Sequence, residues 1–106
     1  MALRTDKIVS EIKNLIRVIE KNGIPISSAY LFGSSAKGKA SKWSDIDVAL
    51  ISENFSGVRF RDIERLLSIL RKYNHFIEFH PFRNEDFDPH SNLFIKEILN
   101  NSLKIK

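Results

Sequence analysis

Asp45 and Asp47 stand two positions apart in the run Ser44-Asp45-Ile46-Asp47-Val48-Ala49-Leu50-Ile51. Ile46, Val48, Leu50 and Ile51 are apolar, which marks a strand built for a core. Residues i and i+2 of a strand project from one face, so the two carboxylates should point the same way, close together. Like charges placed so repel each other unless a cation sits between them. A hard divalent cation such as Mg²⁺ takes oxygen ligands and suits the pair.

A second group of residues lies upstream. Leu31-Phe32-Gly33-Ser34 reads as a strand that breaks at Gly-Ser. A strand that leads through such a break into a helical turn leaves backbone N–H groups unpaired, and these bind phosphate. Gly33 lets backbone approach a ligand closely and accepts dihedrals other residues avoid. Ser34 adds a hydroxyl. A cation beside phosphate-binding amides suggests a metal-bound nucleoside triphosphate.

Glu78 lies inside the apolar stretch Phe76-Ile77-Glu78-Phe79. A charged carboxylate in a central strand is costly unless it is paired or bound to a metal. The alternative is an edge-strand glutamate facing solvent. His80 shares the face of Glu78 by parity. It either partners another polar group or is a packed histidine, and packing is the expectation. Arg59 and Arg61 either face the opening of the site or simply start the next helix. Lys37, Lys39 and Lys42 crowd the loop before the aspartates, with Lys37 best placed to reach a triphosphate. Trp43 is read as a loop anchor, and Tyr30 as a packed strand aromatic. Glu85, Asp86 and Asp88 lack a strand to orient them and read as a solvated loop.

Taken together, Gly33-Ser34, Lys37-Gly38 and Ser44-Asp45-Ile46-Asp47 resemble the signature of the DNA polymerase β-like nucleotidyltransferases. Within that superfamily the resemblance is to the minimal nucleotidyltransferases of HEPN–MNT toxin–antitoxin pairs. Lys37 departs from the family's usual arginine, keeping the charge but losing the bidentate fork. The resemblance implies a small mixed β-sheet flanked by helices, an α/β fold. It implies that Asp45, Asp47 and Glu78 are the catalytic and metal-binding acids, with two Mg²⁺ ions, and that Gly33, Ser34, Lys37 and Ser44 bind the nucleotide. Glu in place of the commoner third Asp occurs in small members followed by His-Pro, as in His80-Pro81 here. The implied activity is AMP transfer from ATP to a tyrosine hydroxyl of a HEPN-domain toxin, for which the chain is the antitoxin. Two alternatives remain: neutralisation of the partner by binding alone, and transfer to a hydroxyl of a small molecule.

The elements that must position these residues follow from periodicity. Apolar residues at Ile8, Ile12, Leu15, Ile16 and Ile19 form one face of a helix, which Thr5 can cap and Gly23 and Pro25 stop. Ile26 to Phe32 reads as a strand with Ala29, Leu31 and Phe32 buried. A second helix over Asp62 to Tyr73 turns Ile63, Leu66, Leu67 and Leu70 to one side. His75 to Phe82 is the third strand. Ser91 or Asn92 caps a last helix with Phe94, Ile95, Ile98 and Leu99 inward, and Leu103 and Ile105 form an apolar tail.

Composition bounds the rest. A chain of 106 residues, 42% hydrophobic, suits one domain, residues 1–106, with one modest core. With no cysteine there is neither a disulfide framework nor a thiolate metal site. No apolar run approaches a membrane span and no signal-peptide core is seen, so a cytoplasmic protein is expected. The 17 basic and 13 acidic residues give a net charge of +4, spread along the chain. No basic-aromatic interleaving or helix-turn-helix pattern points to nucleic acid. Larger members of the superfamily it resembles carry a second domain for the acceptor, which 106 residues are not expected to hold, so the resemblance is compatible with a homo- or hetero-oligomer.

Overall fold

The computed structural model describes residues 2–33, 46–73 and 77–106. In chain order these form α1 (Ala2–Lys21), β1 (Ser28–Phe32), β2 (Ile46–Ile51), α2 (Arg59–Ile69), β3 (Ile77–Phe82), a 3₁₀ turn (Asn84–Asp86), α3 (Leu93–Asn100) and β4 (Leu103–Lys104). The sheet order is β3-β2-β1-β4. β1 runs antiparallel to both β2 and β4, whereas β2 and β3 are parallel. Parallel neighbours need a crossover, and α2 supplies it. The result is the expected α/β fold with a small mixed sheet.

Strand alternation divides the sheet into two faces. Ala29 and Leu31 of β1, Val48 and Leu50 of β2, and Phe79 of β3 join the main core. There they meet Ile8, Ile12, Leu15, Ile16 and Ile19 of α1 and Leu66 of α2 with Leu70 just beyond it. Gly23 ends the α1 region in a left-handed conformation, φ 94°. The other face is thinner. Ala49 and Ile51 pack with Ile98 of α3, bordered by Tyr30, Phe32, Phe82 and Phe87. Tyr30 stacks on Phe87 with ring centroids 5.5 Å apart, a packed aromatic as its alternation suggests.

Several boundaries and faces differ from the sequence reading. α1 begins at Ala2, so Thr5 lies within the helix and does not precede it. α2 begins at Arg59, three residues before Asp62. Asp62 is buried, and its carboxylate accepts from Ser56 N–H at 2.9 Å, Ser56 Oγ at 2.9 Å and Gly57 N–H at 3.1 Å. The side chain ties the preceding loop to the helix, a job that Val58 at the N-cap cannot do. Leu67 is 58% exposed and lies off the buried stripe. In α3, Ile95 and Ile98 are buried but Phe94 and Leu99 are exposed. Asn92 caps that helix by accepting from Phe94 N–H at 2.9 Å, while Ser91 donates to Asp88 at 3.0 Å. Phe32 is half-buried. The apolar tail adds a fourth strand, and Ile105 packs against the main core.

Candidate functional site

The site grows from the register of three strands. Asp47 lies opposite Phe32 on β1 and opposite Glu78 on β3. Because β2 and β3 are parallel, facing residues send their side chains to the same face, and Asp47 and Glu78 are paired by register. His80 follows two positions after Glu78 and faces Ala49. The small Ala49 side chain leaves room for the imidazole to lean toward Asp47. One side-chain donor atom from each of Asp47, Glu78 and His80 falls within 4.8 Å of the others.

Glu78 is placed differently from the sequence expectation. Among the described residues β3 is an edge strand of the sheet, and the Glu78 side chain is 55% exposed. Glu78 therefore needs no metal to offset burial in a central strand. What ties Glu78 to the site is register beside Asp47, not burial. An exposed edge position also leaves its oxygens open to a ligand.

His80 is buried, as packing predicts, with its ring 5.1 Å from that of Phe32 and 6.2 Å from that of Phe94. Its nitrogens are nonetheless engaged. Nε2 is 3.2 Å from Asp47 Oδ1 and 3.8 Å from Glu78 Oε2, and Nδ1 is 3.1 Å from Arg59 Nη2. Parity placed His80 beside Glu78, but nothing in the local sequence pointed to Asp47 or Arg59 as its partners. Arg59 both starts α2 and reaches the site, so the two readings of it are not exclusive.

Gly33, the residue after β1, lies in the left-handed region, φ 79°. A Cβ at this position would stand 2.8 Å from Asp47 Oδ2. The glycine is required twice, by its dihedral and by the carboxylate lying against its backbone. Ser34, Lys37, Ser44 and Asp45 lie outside the described residues, so the pairing of Asp45 with Asp47 and the phosphate-binding break beyond Gly33 stay as expectations. Next to this cluster, the open ends of α2 and α3 border a depression lined by Arg59, Pro81, Arg83, Ser91 and Asn92. The acidic loop is tied down by ion pairs: Arg83 Nε donates to Asp86 at 2.6 Å, which holds the Asp86 carboxyl below its usual range.

Asp47 and Glu78 present oxygen atoms from adjacent strands, an arrangement that suits a hard divalent cation. Both acids stand clear of the core, so an ion between them would be accessible to a nucleotide and to water. The residues present therefore fit such an ion.

Residues 13–106 match the family described as Polymerase beta, Nucleotidyltransferase. A curated protein of Haemophilus influenzae named probable protein adenylyltransferase MntA is 44% identical over 46 residues, 43% of this chain. The match spans 40% of that relative's length. The crystal structure of a candidate nucleotidyltransferase from Sulfolobus solfataricus superposes with a TM-score of 0.62 at 16% identity, covering 94% of this chain and 80% of the other. A chain from a toxin–antitoxin crystal structure with AMP-PNP superposes with a TM-score of 0.57 at 20% identity, covering 92% and 72%. At these identities the two structures speak for the fold alone. With the family match covering nearly all of it, the chain belongs to the polymerase β nucleotidyltransferase family.

Proposed function

We propose that this chain transfers AMP from ATP to a tyrosine hydroxyl of a HEPN-domain toxin, and so acts as the toxin's antitoxin. The observation that carries the proposal is the facing pair Asp47 and Glu78 on parallel strands, with donor atoms within 4.8 Å. Family membership supports a nucleotidyl transfer. The similarity to a curated protein named for adenylyl transfer to protein, and to a toxin–antitoxin chain solved with AMP-PNP, supports the donor and the class of acceptor. The surface beside the site supports a protein acceptor too. Leu93 is 81% exposed, and the neighbouring Phe94, also exposed, packs on His80 and Phe32. Such apolar side chains at a site's rim suit a partner's surface better than a small polar alcohol.

In this reading Asp45, Asp47 and Glu78 would hold Mg²⁺, which when bound would supply charge stabilisation to the attacking and leaving oxygens. Glu78, more exposed than Asp47, faces the acceptor and takes the proton from its hydroxyl in this reading. The acceptor oxygen bonds to the α-phosphorus while the bond from that phosphorus to the bridging β-phosphate oxygen breaks, releasing pyrophosphate. Gly33, Ser34, Lys37 and Ser44 hold the triphosphate. Positioning and electrostatics supply the acceleration, and no covalent enzyme intermediate is needed. Residues 1–106 act as a single cytoplasmic domain in this proposal. Among the described residues no helix is long and apolar enough to cross a membrane.

The test is incubation of the chain with ATP labelled at the α-phosphate, Mg²⁺ and the HEPN-domain toxin proposed as its acceptor. Label should move to the partner, and the Asp45→Ala/Asp47→Ala variant should lose the transfer. Toxin neutralisation that survives in that variant, without label transfer, would establish the binding-only alternative instead.

A further inference from the structure

His80 touches Asp47, Glu78 and Arg59 at once, and two readings of it compete. One makes it a third metal ligand through Nε2, the atom that falls within the cluster of donors. The other makes it a hydrogen-bond donor that holds Asp47. The hydrogen-bond partners decide between them. A guanidinium only donates, so Nδ1, 3.1 Å from Arg59 Nη2, must accept and carries no proton. The imidazole proton then sits on Nε2, which donates to Asp47 Oδ1 at 3.2 Å. In this tautomer Nε2 has no lone pair for a metal.

We propose that Arg59 and His80 form a positioning relay: Arg59 fixes the tautomer of His80, and His80 orients Asp47 for the metal without binding it. The inference rests on the nucleotidyl-transfer reading above, because it takes Asp47 as a metal ligand. Three further contacts make the relay rigid. The imidazole is buried between Phe32 and Phe94, so it cannot turn away at low cost. Arg59 leaves the first turn of a helix whose entry loop is clamped by buried Asp62 through Ser56 and Gly57. Asp47 Oδ2, the oxygen His80 does not engage, lies against Gly33, so the carboxylate is bracketed on both sides. The same Nε2–H points between two carboxylates, with Glu78 Oε2 at 3.8 Å, and softens their mutual repulsion before a cation arrives. Residues that orient metal ligands in this way change metal affinity by roughly 10–100-fold when removed.

The experiment has two arms on the full chain. Nitrogen-15 NMR of the imidazoles, with His80 assigned from His80→Gln, reads the tautomer directly in the wild type. The proposal expects protonated Nε2 and bare Nδ1, unchanged when Mg²⁺ and AMP-PNP are added. A bare Nε2 whose resonance moves on adding the metal would overturn it in favour of a metal-ligand histidine. The second arm measures Mn²⁺ affinity by electron paramagnetic resonance. His80→Ala should weaken binding by about tenfold or more. His80→Gln, which keeps an N–H near the Nε2 position, should recover most of the loss, and Arg59→Lys should bind better than Arg59→Ala. Equal affinities in His80→Gln and His80→Ala, with wild-type binding intact, would overturn the relay while leaving the transfer reading in place. Failure of the wild type to bind Mn²⁺ would strike the transfer reading itself.

Discussion

The two faces of β2 differ in what covers them. On one face Val48 and Leu50 are fully buried under α1 and α2. On the other, among the described residues, Ala49 and Ile51 meet the short α3 and a few aromatic rings, and Asp47 stands at the margin of that cover. Its side chain is 24% exposed, and that of Glu78 beside it is 55% exposed. A single strand thus anchors the fold through its even positions and presents chemistry through an odd one. The rigid side holds the backbone of the open side in register, so the acids need no burial of their own to be well placed.

This contrast can be broken from either side. Asp47→Asn should reduce label transfer by roughly a thousandfold, the several kcal/mol of charge stabilisation that a bound divalent cation supplies. Its stability to urea should stay within about 1 kcal/mol of wild type, because the carboxylate does not support the main core. Leu50→Ala should do the reverse, costing about 2–5 kcal/mol in urea unfolding while the folded fraction keeps a working site. A large stability loss in Asp47→Asn would show that the two faces are not separable. Gly33→Ala sits between these cases. The left-handed dihedral costs a side chain about 1–2 kcal/mol, and the new methyl would press on Asp47 Oδ2, so stability and transfer should fall together.

The smallest effect belongs to the far edge of the core. Lys106 Nζ donates to Glu20 Oε2 at 2.6 Å, and with help from the Ile26 N–H this holds the Glu20 carboxyl below its usual range. A folded-state value below the unfolded one stabilises the protein above the usual carboxylate range, and the gain is lost as pH falls through the lowered value. Both side chains are partly exposed, so Lys106→Met should cost less than about 1 kcal/mol at neutral pH. The difference from wild type should shrink in urea titrations as pH falls below the usual carboxylate range and through the lowered value.

Much of this was legible in the residues. The alternation Val48, Leu50 against Asp47 announced a strand with one buried face, and the 3.6-residue spacing of Ile8, Ile12, Leu15 and Ile19 announced the helix that covers it. Parity alone put Glu78 and His80 on a common face. Strand order was not legible, because it depends on crossovers, and so Glu78 was read in a central strand when β3 is at the edge. Nor was the link from Arg59 to His80, which spans 21 positions and exists only because α2 crosses back over the sheet. Leu67 and Phe94 were assigned inward by spacing. Each sits at the margin of its helix stripe, where tertiary packing and not periodicity decides burial.

The most direct test is Mg²⁺-dependent binding of AMP-PNP, followed by calorimetry on the wild type, Asp47→Asn, Glu78→Gln and the double variant. If the two facing carboxylates share one cation, each single change should weaken binding at least about tenfold, and the double change should add little to either. Wild-type affinity in Glu78→Gln would contradict the account.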